Sequence, residues 1–168
     1  MTSRRWRKPL RIPTYDYRTP GPYFVTICTN ERLPLFGLIE AGAFLPNPAG
    51  TMVAGAWGDI PTTFPEVTLW AFVAMPNHIH GVLMLDPDNV ERNATLGDIM
   101  KWYKAITTNR YIHGVRTHGW PPFAGKVWQP RYFEHVVRND ADMDRILTYV
   151  TNNPASWEQD SLYEPDHP

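Results

Sequence analysis

Apolar residues fill both faces of the run 23–30 (YFVTICTN), which is rich in β-branched and aromatic side chains and therefore predicts a central β-strand. The stretch 33–39 predicts a partner strand or a loop edge. Pro46 and Pro48 then break the chain, and Met52, Val53, Ala56, Trp57 and Ile60 recur at helical spacing up to Pro61, which is expected to end that helix. Residues 68–73 (TLWAFV) predict a second strand and 75–77 (MPN) a tight turn. The third strand, His78–Leu85 (HIHGVLML), pairs with the second as a hairpin. A polar loop follows over 86–93. Thr95, with Asp98 three residues on, predicts a capped helix whose apolar stripe is Leu96, Ile99, Met100, Tyr103 and Ile106. Residues 114–126 predict a loop, 132–137 a fourth strand, and Asn139 or Asp140 the cap of a last helix reaching Asn152 ahead of Pro154.

The order β-α-ββ-α-β-α implies an α+β fold. We expect a ferredoxin-like antiparallel sheet with helices mainly on one face, plus a C-terminal helix. The chain divides into a basic arm (1–20), one domain (21–157) and an acidic tail (158–168), with no internal repeat.

With 168 residues the chain suits one core, and its ordinary apolar and charged fractions exclude wholesale disorder. Seventeen prolines predict many loops. The lone Cys28, in an apolar run, excludes an internal disulfide and fits a reducing compartment. No apolar stretch approaches the ~20 residues that span a bilayer. These features point to a soluble, cytoplasmic protein. The net charge of −1 argues against indiscriminate coating of nucleic acid, but the distribution is uneven. Arg4, Arg5, Arg7, Lys8, Arg11 and Arg18 face only Asp16 in the first eighteen residues. Lys101, Lys104, Arg110, Arg116, Lys126, Arg131 and Arg138 face only Glu134 between 101 and 138. Interleaved with Trp6, Tyr15, Tyr17, Trp102, Tyr103 and Tyr111, this charge suits phosphate contacts and base stacking. It equally suits a solvated surface over an aromatic core.

His78 and His80 stand two apart on the third strand, so both imidazoles point to one face. Ile79 points the other way, into the opposite layer. Two imidazoles on a rigid strand form half of a site for Mg²⁺, Mn²⁺ or Zn²⁺. On the last helix, Met143, Ile146, Leu147 and Val150 form the core stripe. Tyr149 lies roughly 110° off its centre at ~100° per residue, flanking the core. Asn153 follows four residues later on the same side, and Pro154 is expected to turn it out of helical geometry. A tyrosine and an oxygen ligand can thus face a metal held by the sheet.

Four stretches carry a resemblance: YDYRTPGPYFVTICTNERLPLFG (15–37), AFVAMPNHIHGVLML (71–85), TLGDIMKWYKAITTNRY (95–111) and VWQPRYFEHVVRNDADMDRILTYVTNNPASW (127–157). In this order they resemble the REP-associated tyrosine transposases, single-tyrosine HUH nucleases related to the IS200/IS605 transposases. The resemblance implies Mg²⁺- or Mn²⁺-dependent cleavage and rejoining of single-stranded or hairpin DNA, with REP-type palindromes as substrates. It implies a 5′-phosphotyrosine intermediate and a free 3′-OH. By position it makes His78, His80 and Asn153 metal ligands and Tyr149 the nucleophile. Arg4, Arg5, Arg7, Lys8, Arg11, Lys101, Lys104, Arg110 and Arg131 would hold the hairpin's phosphates. It also implies a nucleoid-associated protein, either a homodimer with exchanged helices or a monomer. Tyr132 is a second tyrosine near the last helix, and His135 a further histidine near the site. Two alternatives stand beside this reading: a domesticated hairpin-binding protein without cleavage, and an unrelated His-x-His hydrolase that uses metal-bound water.

Overall fold

The computed structural model describes residues 19–86 and 94–164. In chain order the elements are β1 (Gly21–Cys28), β2 (Gly37–Glu40), β3 (Ala43–Pro46), α1 (Pro48–Gly58), α2 (Ile60–Thr63), β4 (Val67–Met75), β5 (His78–Leu85), α3 (Leu96–His118), β6 (Phe133–Val136) and α4 (Asp140–Asn152), followed by a 3-10 segment, Pro154–Gln159. Four strands form one antiparallel sheet in the order β4-β5-β1-β6, and β2 and β3 form a separate hairpin. With that hairpin set aside, β1-α1-β4-β5-α3-β6 is the ferredoxin-like split βαβ arrangement.

The pleat divides the molecule. Ile79, Leu83 and Leu85 of β5 join Tyr23, Val25 and Ile27 of β1 in the main core, against Val53, Ala56 and Trp57 of α1 and Leu96, Ile99, Met100, Tyr103 and Tyr111 of α3. The opposite face carries a smaller cluster, where Phe24 and Val82 meet Met143, Ile146 and Val150 of α4. α1 and α3 therefore cover one face, and α4 lies alone on the other. Because the histidines share a face with Val82, they fall on the α4 side.

Gly81 lies between these two layers. A Cβ there would sit well inside contact distance of the Trp57 ring, whose plane packs on this strand. Gly81→Ala is expected to cost about 1–3 kcal/mol by overpacking. Urea unfolding measures this loss, and adding Trp57→Phe should recover part of it.

Several boundaries differ from those the sequence predicts. The 33–39 region gives its strand only from Gly37. α1 starts at Pro48, because proline is suited to the first helical position and Asn47 caps it by accepting from the Gly50 N–H at 2.9 Å. Pro61 does not stop the chain's helical course; it opens the short helix α2. α3 keeps its Thr95–Asp98 capping box but runs on to His118, through residues expected to be loop. Gly114 is retained inside it because the Trp120 ring packs where a Cβ would stand, and the helix ends at Gly119 in the left-handed conformation. No described helix is long and apolar enough to cross a membrane. The basic stretch 1–18, with Arg4, Arg5, Arg7, Lys8 and Arg11, lies outside the described residues, as does 87–93 of the polar loop.

Candidate metal centre and tyrosine nucleophile

The two-residue turn Pro76-Asn77 closes the β4–β5 hairpin and delivers His78 as the first residue of a strand hydrogen-bonded on both sides. His78 is fully buried and His80 nearly so. Their Nε2 atoms converge to 3.1 Å. Each ring is held from behind. His78 Nδ1 lies 2.7 Å from Asn77 Oδ1, and Asn77 uses its Nδ2 to donate to the Leu162 carbonyl at 2.9 Å. The amide oxygen of Asn77 must therefore accept, so His78 carries its proton on Nδ1 and turns an Nε2 lone pair into the site. His80 Nδ1 lies 2.7 Å from Thr26 Oγ1 on β1, and its ring stacks on Phe24 at 5.4 Å between centroids. Outer partners of this kind fix ligand orientation in metal sites.

Burial lowers the His78 pKa to about 3, with Asn153 opposing and Arg32 adding slightly. Burial lowers His80 likewise to about 3, helped by His78 and opposed by Asp160. Both rings are consequently neutral at physiological pH, the state in which imidazole binds metals. Two metal–nitrogen bonds of about 2.1 Å at a right angle put the nitrogens about 3.0 Å apart. The observed Nε2 separation of 3.1 Å fits that geometry.

α4 supplies the oxygen side. Its capping residue is Asn139, whose side chain accepts from the Asp142 N–H. Met143, Ile146 and Val150 are buried against the sheet, while Tyr149 at the flank is 44% exposed. Tyr149 Oη reaches His80 Nε2 at 3.4 Å and Asp160 Oδ2 at 3.4 Å. Its ring packs edge-on to His80 and Phe24. Half-burial pushes the phenol up to about 12, reinforced by Asp160. Asn153 retains right-handed helical angles, contrary to the expectation from Pro154, which instead begins the 3-10 segment. The carboxamide is accordingly carried inward. It is 2% exposed, its Nδ2 donates to Asp160 Oδ2 at 2.9 Å, and its Oδ1 is buried without a well-directed partner. A buried amide oxygen without a well-directed donor carries a cost that a cation in this position would relieve.

A family model described as Transposase IS200 like matches residues 63–153. That span is more than half of the chain and contains both histidines, Tyr149 and Asn153. The chain belongs to the IS200-like transposase family. An uncharacterized protein of Haemophilus influenzae is 33% identical to this transposase-family chain, over 94% of the chain and 93% of the relative. A second protein of that organism, named among the REP-associated tyrosine transposases, is 24% identical over 83% of the chain and 73% of its own length. Two solved structures share the fold. One is a REP-associated tyrosine transposase bound to a REP hairpin (TM-score 0.51, 22% identity, covering 82% of this chain and 68% of that one). The other is a transposase-like protein of Deinococcus radiodurans (TM-score 0.53, 20% identity, covering 84% and 95%).

Other residues singled out in this IS200-like chain fall elsewhere. His135 bonds Asp142 at 2.7 Å and does not join the histidine pair. The same carboxylate accepts from the Arg138 N–H and pairs with Arg145, and its pKa is lowered, chiefly by His135. Tyr132 packs with the main core on the α3 side, with Lys104 Nζ 5.6 Å from its ring centroid, away from Tyr149. Lys104 spends its donors on the carbonyls of Gln129, Pro130 and Arg131, and burial lowers it to about 8. Arg110 pairs with Asp59 at 2.9 Å. Lys101 and Arg131 are exposed. None of these four reaches the histidine site. Conversely, Thr26, Asn77, Trp157 and Asp160 belong to it and were not among the sequence candidates. Trp157 tilts over His78 at 5.7 Å. Asn77 was signalled by its place directly before the histidines. Asp160, placed in the acidic tail, had no periodic signal.

Proposed function

We propose that the protein is a metal-dependent single-tyrosine DNA nuclease and strand transferase acting on hairpin or single-stranded DNA. The observation that carries this reading is the convergence, within one chain, of two neutral histidine Nε2 atoms, the Asn153 carboxamide and the Tyr149 hydroxyl. His78, His80 and Asn153 would hold Mg²⁺ or Mn²⁺. When bound, such an ion supplies positive charge that stabilises the pentacoordinate transition state at phosphorus and eases loss of the phenol proton.

The chain's residues do the rest. Phe24 and the α4 helix fix the Tyr149 ring, so the phenol oxygen is presented beside the metal-binding atoms and open to solvent on its other side. In-line attack by this oxygen forms the Tyr149 O–P bond as the P–O3′ bond breaks. The phenol proton is lost and the departing 3′ oxygen is protonated. The product is a 5′-phosphotyrosine and a free 3′-OH. The phosphodiester energy is conserved in the linkage, so an incoming 3′-OH can reverse the step and rejoin strands without ATP. Tyr149 of α4 and Asn153 at its C-terminal cap lie beside the histidines of the same chain.

The REP hairpin bound by the structural relative supports hairpin DNA as substrate. Exposed Lys101 and Arg131, together with the basic arm, are candidates for its phosphates. A cytoplasmic, nucleoid-associated location follows from such a substrate.

Incubation of the protein with an end-labelled REP-type hairpin bearing single-stranded flanks, with and without Mn²⁺, tests the proposal. We expect cleavage at one position in a flank that EDTA abolishes. Tight hairpin binding with no cleavage under any divalent ion would instead support the domesticated binding protein.

A further inference from the structure

Asp160 lies outside the span matched by the family model, seven residues past Asn153, and yet it reaches the centre of the site. A ligand atom of Asp160 and one from each of His78 and His80 all lie within 4.8 Å of one another. Among the described residues no other group of three histidine, cysteine or carboxylate ligands comes together in this way. Its place is built. Its N–H donates to the Trp157 carbonyl at 3.0 Å, ending the 3-10 segment, and its Oδ1 accepts from the Leu162 N–H at 2.8 Å. The Leu162 carbonyl in turn accepts from Asn77, the residue that orients His78. The turn carrying Asp160 is thereby fastened to the residue that sets the histidine. Oδ2, left free of the turn, faces Asn153 Nδ2 at 2.9 Å and Tyr149 Oη at 3.4 Å.

The donor chemistry explains why a carboxylate belongs here. Two imidazoles and a carboxamide are all neutral, whereas Mg²⁺ and Mn²⁺ prefer oxygen ligands and bind proteins mainly through carboxylates. A dication brought into a pocket lined by Phe24 and Trp157 also needs compensating negative charge. Building on the metal-site reading above, we propose that Asp160 is a fourth protein ligand of the divalent ion, joining His78, His80 and Asn153. Ion binding would draw Oδ2 from Asn153 Nδ2 and let Asn153 Oδ1 turn to the same ion.

Titration of the full-length protein with Mn²⁺ by calorimetry tests this assignment. The variants are Asp160→Asn, which keeps a side-chain oxygen for the Leu162 turn, Asp160→Ala and His78→Ala. Far-UV circular dichroism and melting curves confirm the fold of each. Removal of a partner that merely orients a ligand costs about 10- to 100-fold in metal affinity, so loss of a direct ligand should weaken Mn²⁺ binding in both Asp160 variants by at least about 10-fold. A Mn²⁺-soaked crystal should show an anomalous peak with an Asp160 oxygen at about 2.2 Å. Unchanged or tighter binding in the Asp160 variants, with the peak held by the histidines alone, would mean that Asp160 merely fills the site, and the assignment fails while the histidine centre stands. Full Mn²⁺ affinity in His78→Ala would overturn the histidine centre and this assignment together.

Discussion

Tyr149→Phe is expected to lower strand cleavage by on the order of 10³-fold or more and to eliminate the covalent protein–DNA species. This follows from the geometry of one oxygen. The phenol is the only hydroxyl among the described residues that α4 presents to the histidine pair, and deletion of a covalent nucleophile removes the whole reaction channel. The substitution spares the rest of the site. Tyr149 is 44% exposed, and its hydroxyl lies at a long 3.4 Å from both His80 Nε2 and Asp160 Oδ2. Its ring packing on Phe24 and His80 survives in phenylalanine. The melting temperature should shift by no more than about 2 °C, and hairpin affinity should stay within about twofold. The pair of measurements separates chemistry from folding. Cleavage that persists in the variant would show that a metal-activated water does the work.

His78→Ala and His80→Ala are each expected to abolish Mn²⁺-dependent cleavage and to remove the stabilisation expected from Mn²⁺. Ligand bound only to the native state adds stability in proportion to the logarithm of its concentration over Kd, about 2.7 kcal/mol at a hundredfold excess. The wild-type melting temperature should therefore climb steadily with Mn²⁺, whereas both variants should give flat curves. Their metal-free stabilities should also differ from wild type. His80→Ala opens a hole beside Phe24 and strands the buried Thr26 hydroxyl, with an expected cost of about 1–3 kcal/mol. His78→Ala strands Asn77 Oδ1 in the same way. A melting temperature that rises equally with Mn²⁺ in all three proteins would place the ion elsewhere.

The face shared by His78 and His80 was legible because a strand's two-residue period needs no tertiary information. The α4 stripe was equally legible, and with it the flanking position of Tyr149. The capping box at Thr95 marked the start of α3 correctly. What the sequence hid had local causes. Leu38 and Leu45 of the β2–β3 hairpin are 54% and 45% exposed, so the apolar pattern there does not mark a buried face. Gly114 reads as a breaker, but its lack of a side chain serves the packing of Trp120. Pro48 reads as an interruption, but the first turn of a helix tolerates proline. Asn153 was expected to leave helical geometry ahead of Pro154, and tertiary packing overrides that local preference. Asp160 was beyond reach of any periodicity. Its position depends on a 3-10 segment and a hydrogen-bonded turn that return the chain to the sheet. Lys104 and Arg110 were expected to hold phosphates from their clustered charge and the family resemblance. The structure engages these two side chains with backbone carbonyls and with Asp59.

Tyr149 is proposed as the covalent link between this chain and DNA. The most direct test is tandem mass spectrometry of the protein after reaction with a REP-type hairpin oligonucleotide and Mn²⁺, followed by nuclease and protease digestion. We expect a nucleotide phosphate attached to Tyr149 and an upstream DNA fragment ending in a 3′-OH. A fragment pair with a free 5′-phosphate and no modified tyrosine, or an adduct on Tyr132, would contradict it.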